Sequence, residues 1–373
     1  MNAFVSPFMS MAPILKAAEQ AAAEGKPTAV GAFNVNFYSQ AEGILEGLRR
    51  ADAPGIIQAS RGANKFQGGP DKIQAMLEVA VENSRHALPI ALHLDHGDTE
   101  SARLCVESGF TSVMIDASKE DLKGNIVKTL EIVKVAHARG LSVEGEIGKL
   151  EGVEEDVAHE TTTYADPYLV PYFFHETGAD ALAVAYGTSH GPNKGKGLDK
   201  LAVHIVKMSY QGMKAYGQNE THFLVSHGSS TVPKELVAEI NQYGGSIKDA
   251  AGIPMAKIQE AVAAGIRKIN IDTDLRLGIT ATFRKYFHDH PGIEKKSSDV
   301  LQPIKKILDE HPEAIDPRDY LKVIAVEFLR RDPKGSVLEE VMALVRKRIA
   351  DHVEKLVHEF GSAGLASRVQ RPS

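Results

Sequence analysis

The residues of this chain best suited to chemistry lie in His93-Leu-Asp-His96-Gly97, Ser189-His190-Gly191 and Ser226-His227-Gly228. Each piece closes an apolar, β-like run: Ile90–Leu94, Ala181–Tyr186 and Phe223–Ser226. Three imidazoles delivered from strand ends, His96, His190 and His227, suit one divalent metal with an open coordination position. A centre of that kind activates a substrate oxygen instead of only holding a fold together. The chain has fifteen histidines, but these three share a following glycine and an equivalent strand end. His93 shares strand parity with Asp95 and reads as a packed histidine. The other eleven, His352 among them, read as hydrogen-bonded or surface groups.

Carboxylates accompany the imidazoles. Glu144 and Glu146 stand two apart in one strand, so both can point to the same side, where a buried carboxylate needs a cation or hydrogen bonds. Glu146, nearer the strand's end, is a fourth or alternative metal ligand, and Glu144 would orient an imidazole. Asp116, ending the next strand-like run upstream, could do either job, and a structural polar network is the plain alternative for Glu144, Glu146 and Asp116. Asp95, beside His96 but not itself a ligand, suits a proton acceptor from a substrate hydroxyl.

Three segments suit an anion. Gly191 and Lys194 combine backbone N–H groups with one ammonium. Gly228, Ser229 and Ser230 precede a helical pattern over Val232–Tyr243, with Pro233 at its start, and are expected at a helix N-terminus, where phosphate is stabilised. Asn270-Ile-Asp272-Thr273-Asp274 closes the last strand-like run. Each piece alone could merely cap a helix; together they point to a phosphorylated small molecule.

The elements that must position these groups alternate. Strands are expected over Thr28–Asn36, Gly55–Ser60, Ile90–Gly97, Ser112–Asp116, Ser142–Gly148, Ala181–Gly187, His222–Gly228 and Ile266–Asp272. Most are near-continuous apolar runs, as parallel strands covered on both faces require. Helical spacing marks Gln40–Ala51, Lys72–Arg85, Glu120–Arg139 and Lys257–Ala264 between them. Gly109, Gly140, Gly178 and Gly265 fit the position just past a helix end. Eight strands with intervening helices predict an α/β fold, a closed (β/α)8 TIM barrel over about residues 28–290. An open doubly wound sheet is the runner-up, but its glycine fingerprint after the first strand is missing. An extra N-terminal helix, Ala12–Glu24, is placed to plug the barrel's N-terminal mouth. A C-terminal helical extension over 291–373 carries patterns at Ser298–Glu310 and Val337–Phe360, after a helix at Leu275–Phe287, and ends in a frayed tail, Ala366–Ser373. The whole chain, 1–373, reads as a single domain. Long connections at Leu150–Tyr164 and Thr188–Gly197 are expected as mobile loops over the mouth.

Bulk properties narrow the function. The net charge of -6 argues against a nucleic-acid partner. No apolar run approaches the ~20 residues of a membrane helix, and no signal peptide is evident. A single cysteine, Cys105, excludes an internal disulfide framework and fits a reducing, cytoplasmic setting.

Taken as a set, Gly31-Ala-Phe-Asn34, His93-Leu-Asp-His-Gly97, Glu144-Gly-Glu-Ile-Gly148, Tyr186-Gly-Thr-Ser-His-Gly191, Ser226-His-Gly-Ser-Ser230 and Asn270-Ile-Asp-Thr-Asp274 resemble class II, metal-dependent fructose-bisphosphate aldolase, over about residues 10–290. The resemblance implies a TIM barrel, a catalytic zinc ion with a second metal position and a monovalent cation, and a homodimer or homotetramer. It implies roles: His96, His190 and His227 on zinc, Glu146 and Asp116 at a second metal position, Asp95 on the C4 hydroxyl proton. Glu155, in a lid over Val153–Asp156, would shuttle the proton at the carbon that becomes nucleophilic. Gly191, Lys194, Gly228, Ser229 and Ser230 would hold triose phosphate, with Asn270, Asp272 and Thr273 beside it. Asn34 and Ser60 would line the pocket, and Arg318 would reach a distal phosphate. The implied substrate is a ketose bisphosphate, with fructose 1,6-bisphosphate first and the sedoheptulose or tagatose compound as the alternative. Ser229 and Leu275-Arg276 depart from the commonest glycolytic pattern and look more like the branch that also serves carbon fixation. Leu321–Ser373 matches the family poorly.

Three rivals remain at this stage. A Schiff-base aldolase needs a desolvated lysine at a strand end; Ala181–Tyr186 has none, and Lys268 sits near the start of its strand, where it more simply pairs. A barrel metallohydrolase would use metal-bound water and needs no paired phosphate sites. A sugar-phosphate-binding protein without catalysis would not need Asp95 or the Glu154-Glu155 pair.

Overall fold

The computed structural model describes residues 6–84, 88–149, 152–154, 157–159, 163–189, 191 and 201–370. Ten strands are defined among them: β1 (Val30–Asn34), β2 (Gly55–Ser60), β3 (Ile90–Gly97), β4 (Ser112–Ile115), β5 (Ser142–Ile147), β6 (Gly152–Glu154), β7 (Val157–His159), β8 (Ala181–Val184), β9 (Phe223–Ser226) and β10 (Ile266–Ile271). Eight of them close a barrel in the order β1-β10-β9-β8-β5-β4-β3-β2, every pairing parallel. The expected (β/α)8 barrel is therefore the fold. Several expected strands are too long by one to three residues at an end. There the ladder stops while the chain turns over the rim, which local apolarity cannot report.

Strand alternation divides the interior from the shell. Val30, Ala32, Ile56, Ala91, Ala181, Ala183, Phe223 and Val225 form one apolar cluster with Met11, Ile14, Leu15 and Ala18 of the helix Met11–Ala23. Their strand neighbours Phe33, Ile57, Leu92, Leu94, Val143, Leu182, Leu224 and Ile269 belong instead to the cluster shared with the outer helices. The Met11–Ala23 helix thus plugs the N-terminal end of the barrel, as expected. Its start is fixed by Met9 N–H donating to the Ile90 carbonyl at 2.8 Å and Ala12 N–H donating to Ser142 Oγ at 2.9 Å.

One connection gains structure, and two local expectations are corrected. The long connection 150–164 contains an antiparallel hairpin, β6 with β7. Ala366–Ser373 is not a frayed tail over its described part. Gly364 and Ala366 donate to the carbonyls of Ala51 and Asp52 at 2.9 and 3.1 Å, and Leu365 and Val369 are buried with the plug helix. The helix after β9 is Lys234–Gln242, so Gly228, Ser229 and Ser230 do not form its N-terminus. Val232 adopts a left-handed φ of 45°, which interrupts the helical pattern that begins there in sequence.

Candidate metal centre and active site

β3 delivers two neighbouring residues to the same place, which a regular strand cannot do. His93 and Asp95 point into the barrel by parity, and His96 should point out. The β3–β4 register shifts between Leu94 and Gly97, and His96 takes a left-handed φ of 51°. A bulge of this kind re-aims a side chain. It brings the His96 ring against that of His227, centroids 4.7 Å apart and planes at 90°.

Each imidazole is held from behind by a carboxylate. His96 Nδ1 lies 3.0 Å from Asp116 Oδ2, and His227 Nε2 lies 2.8 Å from Glu144 Oε1. A carboxylate accepts only, so both of those nitrogens carry the proton. The remaining nitrogens, His96 Nε2 and His227 Nδ1, then present lone pairs to one another at 3.0 Å. Two lone pairs at that distance require a positive charge between them or beside them. Neutral imidazoles oriented by outer carboxylates are the usual ligands of zinc-type sites, so the donor set fits a divalent cation.

The charge around the pair is arranged to keep those carboxylates ionised. Burial by itself would raise the Glu144 carboxyl, but the Lys268 ammonium at 2.9 Å and the His227 hydrogen bond hold it well below its ordinary value. Asp116 is largely covered, which by itself would raise its carboxyl, yet it is held low by His96 and by the Ser118 hydroxyl at 2.7 Å. His93, inside the barrel, has its pKa pushed well down by burial and by Lys268, so it stays neutral. Its Nδ1 meets Ser112 Oγ at 2.8 Å, which makes it the packed histidine expected.

Asp95 is gripped by three amides. Asn34 Nδ2 and Gln58 Nε2 donate to Oδ2 at 2.9 and 3.1 Å, and Asn270 Nδ2 donates to Oδ1 at 3.1 Å. Lys268 Nζ donates to Asn270 Oδ1 at 2.8 Å, which fixes which way that amide faces. Asp95 is completely buried. Its carboxylate, His96 and His227 offer ligand atoms within 4.8 Å of one another, and so, as a second group, do His96, Asp116 and Glu146. Glu146 Oε2 is 3.8 Å from His96 Nδ1, on the ring's opposite side from His227.

The loops over the rim complete the mouth. Gly228 has φ 62°, and a Cβ there would stand 2.5 Å from the Ser189 carbonyl oxygen, so the loops after β8 and β9 touch through backbone. Gly191 also has a left-handed φ, of 80°. The Ser230 hydroxyl accepts from Asp272 N–H at 3.3 Å. The Ser229 hydroxyl is turned into a buried chain, bonded to Ser226 Oγ, which meets Tyr186 OH, each link 2.6 Å. Ser60 caps the helix Arg61–Gln67 by accepting Ala63 N–H at 3.1 Å. Thr273 opens the helix Thr273–Asp289. Asp272 is paired with Arg276, whose Nη1 lies 2.7 Å from Asp316 Oδ2, and Arg318 Nη2 lies 2.6 Å from the same oxygen. Arg318 is thereby linked to the mouth through Asp316, Arg276 and Asp272. His190, Lys194 and Glu155 lie outside the described residues.

Sequence reasoning missed Gln58 and Lys268. Strand parity with Ser60 was the available signal for Gln58. Lys268 pairs as expected, but with Glu144 inside the barrel, one alternation below Asn270.

A parallel barrel whose C-terminal rim gathers oriented imidazoles, a gripped carboxylate and glycine-rich loops defines a metal-dependent barrel enzyme. The sequence profile of the family described as "Fructose-bisphosphate aldolase class-II" matches residues 11–365. The chain belongs to that family, whose members are metal-dependent lyases. A "Fructose-bisphosphate aldolase" of Giardia intestinalis is 42% identical over 295 residues, 78% of this chain and 82% of that protein. One of the same name from Thermus caldophilus is 38% identical over 356 residues, 94% of this chain and 98% of the relative. The crystal structure of fructose-bisphosphate aldolase from Campylobacter jejuni shares the fold, with a TM-score of 0.64 at 20% identity and 96% of each chain covered. Among the described residues no helix is long and apolar enough to cross a membrane.

Proposed function

We propose that this chain performs the reversible retro-aldol cleavage of fructose 1,6-bisphosphate to dihydroxyacetone phosphate and glyceraldehyde 3-phosphate. The observation that carries the reading is the facing pair of imidazole nitrogens at 3.0 Å, each backed by a carboxylate, with the gripped Asp95 beside them. His96, His227 and His190 would hold zinc, with Glu146 and Asp116 at a second metal position. A divalent cation held there would supply Lewis acidity toward the ketose carbonyl oxygen.

The chain's own residues do the rest. Asp95 accepts the C4 hydroxyl proton as the C3–C4 bond breaks, and its three amide donors fix the carboxylate toward that hydroxyl. The electron pair of the broken bond stays on the triose carbon, to which Glu155 returns a proton. Gly191, Lys194, Gly228, Ser229 and Ser230 hold the ketone-end phosphate, the Ser229 part resting on backbone since its hydroxyl is bonded to Ser226. Asn34, Ser60, Asn270, Asp272 and Thr273 line the sugar, and Arg318 takes the distal phosphate. Two phosphate anchors position the bond that breaks between them. A monovalent cation beside the phosphate, a homodimer or homotetramer, and a cytoplasmic location suited to the one buried free cysteine belong to the same reading.

The test is triose phosphate release from fructose, tagatose and sedoheptulose bisphosphates, with metal analysis of the purified protein. Cleavage that is fastest on the fructose compound, lost with a chelator and restored by zinc, supports it. Release of inorganic phosphate without triose, or covalent trapping by borohydride, overturns it.

A further inference from the structure

One carboxylate bolts the loop after β9 to the first turn of the helix Thr273–Asp289. Asp274 Oδ1 accepts Val232 N–H at 2.7 Å, and Oδ2 accepts Thr231 N–H and Oγ1–H at 3.0 and 2.8 Å. The Asp274 side chain is completely buried. Its remaining partner comes from the far end of the chain. His352, on the helix Glu339–Glu359, places Nε2 3.4 Å from Asp274 Oδ2.

The loop needs such a clamp. Val232 is β-branched and holds φ 45°, a conformation that persists only when the surroundings over-determine it. The three bonds to Asp274 supply that on one side. On the other, Ile253 N–H donates to the Ser230 carbonyl at 3.1 Å, and a Cβ on Gly252 would lie 2.1 Å from the Thr231 carbonyl. Behind the imidazole is a cavity of about 490 Å³, lined by Thr231, Val232, Gly252, Lys355, Glu359 and His352 itself.

We propose that His352 is a positioning residue which, through Asp274, fixes the segment Gly228–Val232 in the conformation that receives the ketone-end phosphate. The inference rests on reading that loop as the phosphate site. His352 donates Nε2–H to the carboxylate that also holds Thr231 and Val232. Without that donor the carboxylate's grip on Thr231 and Val232 relaxes, and Val232 returns toward an unstrained φ.

The experiment uses the metal-loaded enzyme with His352→Ala, His352→Leu and His352→Gln. We expect the Ala and Leu variants to raise KM for the ketose bisphosphate about tenfold, the size expected for one lost hydrogen bond to a charged group, with kcat within about twofold. The dissociation constant of inorganic phosphate, measured by calorimetry, rises in parallel. His352→Gln, which keeps a donor, returns both toward wild type. Added imidazole restores KM in His352→Ala, since the adjoining cavity admits it, after correction for imidazole's effect on the wild type. Unchanged KM and phosphate affinity in the Ala and Leu variants, with only a lower melting temperature, overturn the proposal. A wild-type enzyme that releases no triose phosphate overturns the cleavage reading alone, because phosphate affinity still reports on the clamp.

Discussion

At the residue scale, the site depends on how few degrees of freedom its groups retain. Asp95 has amides on both oxygens, so its geometry does not rest on the substrate. Asp95→Ala should lower kcat by about 10²–10⁴-fold, the range for a lost general base, while bound metal measured by elemental analysis stays the same. Unimpaired turnover would remove Asp95 from its role. Lys268 is the group that lets Glu144 stay charged inside the barrel, and it also sets the Asn270 amide. Lys268→Met should leave a buried carboxylate uncompensated. We expect a loss of about 3–5 kcal/mol in denaturant unfolding and about 10–100-fold weaker metal binding in chelator competition. Retained metal affinity would show that Glu144 does not orient His227.

At the element scale, the C-terminal extension matters through its contact with the barrel's first helix. Gly43 and Gly47 of the helix Tyr38–Arg50 lie so close to the helix Glu339–Glu359 that a Cβ would stand 2.8 Å from the Arg346 carbonyl and 2.7 Å from that of Ala350. Small residues four apart permit that approach; a larger one forces the helices apart. Gly47→Leu should cost about 1–3 kcal/mol or more by overpacking, read as a lower melting temperature. Should His352 act as proposed, phosphate affinity falls with it, because the same helix carries the imidazole. A second element contact gives a pH signature. His137, at the end of the helix Leu122–His137, donates to Asp180 at 2.9 Å, and that bond raises its pKa. A raised folded-state value means that the stabilisation is fully present below the unfolded value of about 6.5 and fades as pH rises through the folded one. The melting-temperature gap between wild type and His137→Gln should therefore narrow from about pH 5.5 to about pH 8.5. A gap that widens over that range refutes the assignment.

At the scale of the whole molecule, one ion pair joins the plug to the barrel. Glu19 of the helix Met11–Ala23 meets Arg267 of β10 at 2.6 Å, and Tyr210 and Asn219 also bond its carboxylate. Both charged partners are nearly inaccessible to solvent. Glu19→Ala should strand a buried guanidinium and destabilise by about 3–5 kcal/mol, a shift visible in chemical unfolding without a change in KM, since the pair lies at the barrel's opposite end from the rim. An altered KM would mean that the two ends are coupled.

What the sequence determined by itself is whatever short-range pattern controls. Apolar runs alternating with helical periods pointed to a parallel barrel, and His96-Gly, His227-Gly and Asn270–Asp274 marked strand ends at its C-terminal rim, because strand ends and turn residues are local. Parity foretold that Glu144 and Glu146 face inward and that His93 packs. Only the tertiary structure decided the rest. The bulge that turns His96 beside Asp95 arises from register with β4, and the grip on Asp95 joins residues 34, 58, 95 and 270 from four strands. Asp274's hold on Thr231 and Val232 overrode the helical pattern that starts at Val232. The C-terminal helix found its partner through Gly43 and Gly47, whose spacing states that close packing is possible but not against what. Hydrogen bonds and contacts across such separations depend on how the closed barrel brings distant segments together, and no local window of sequence contains both partners.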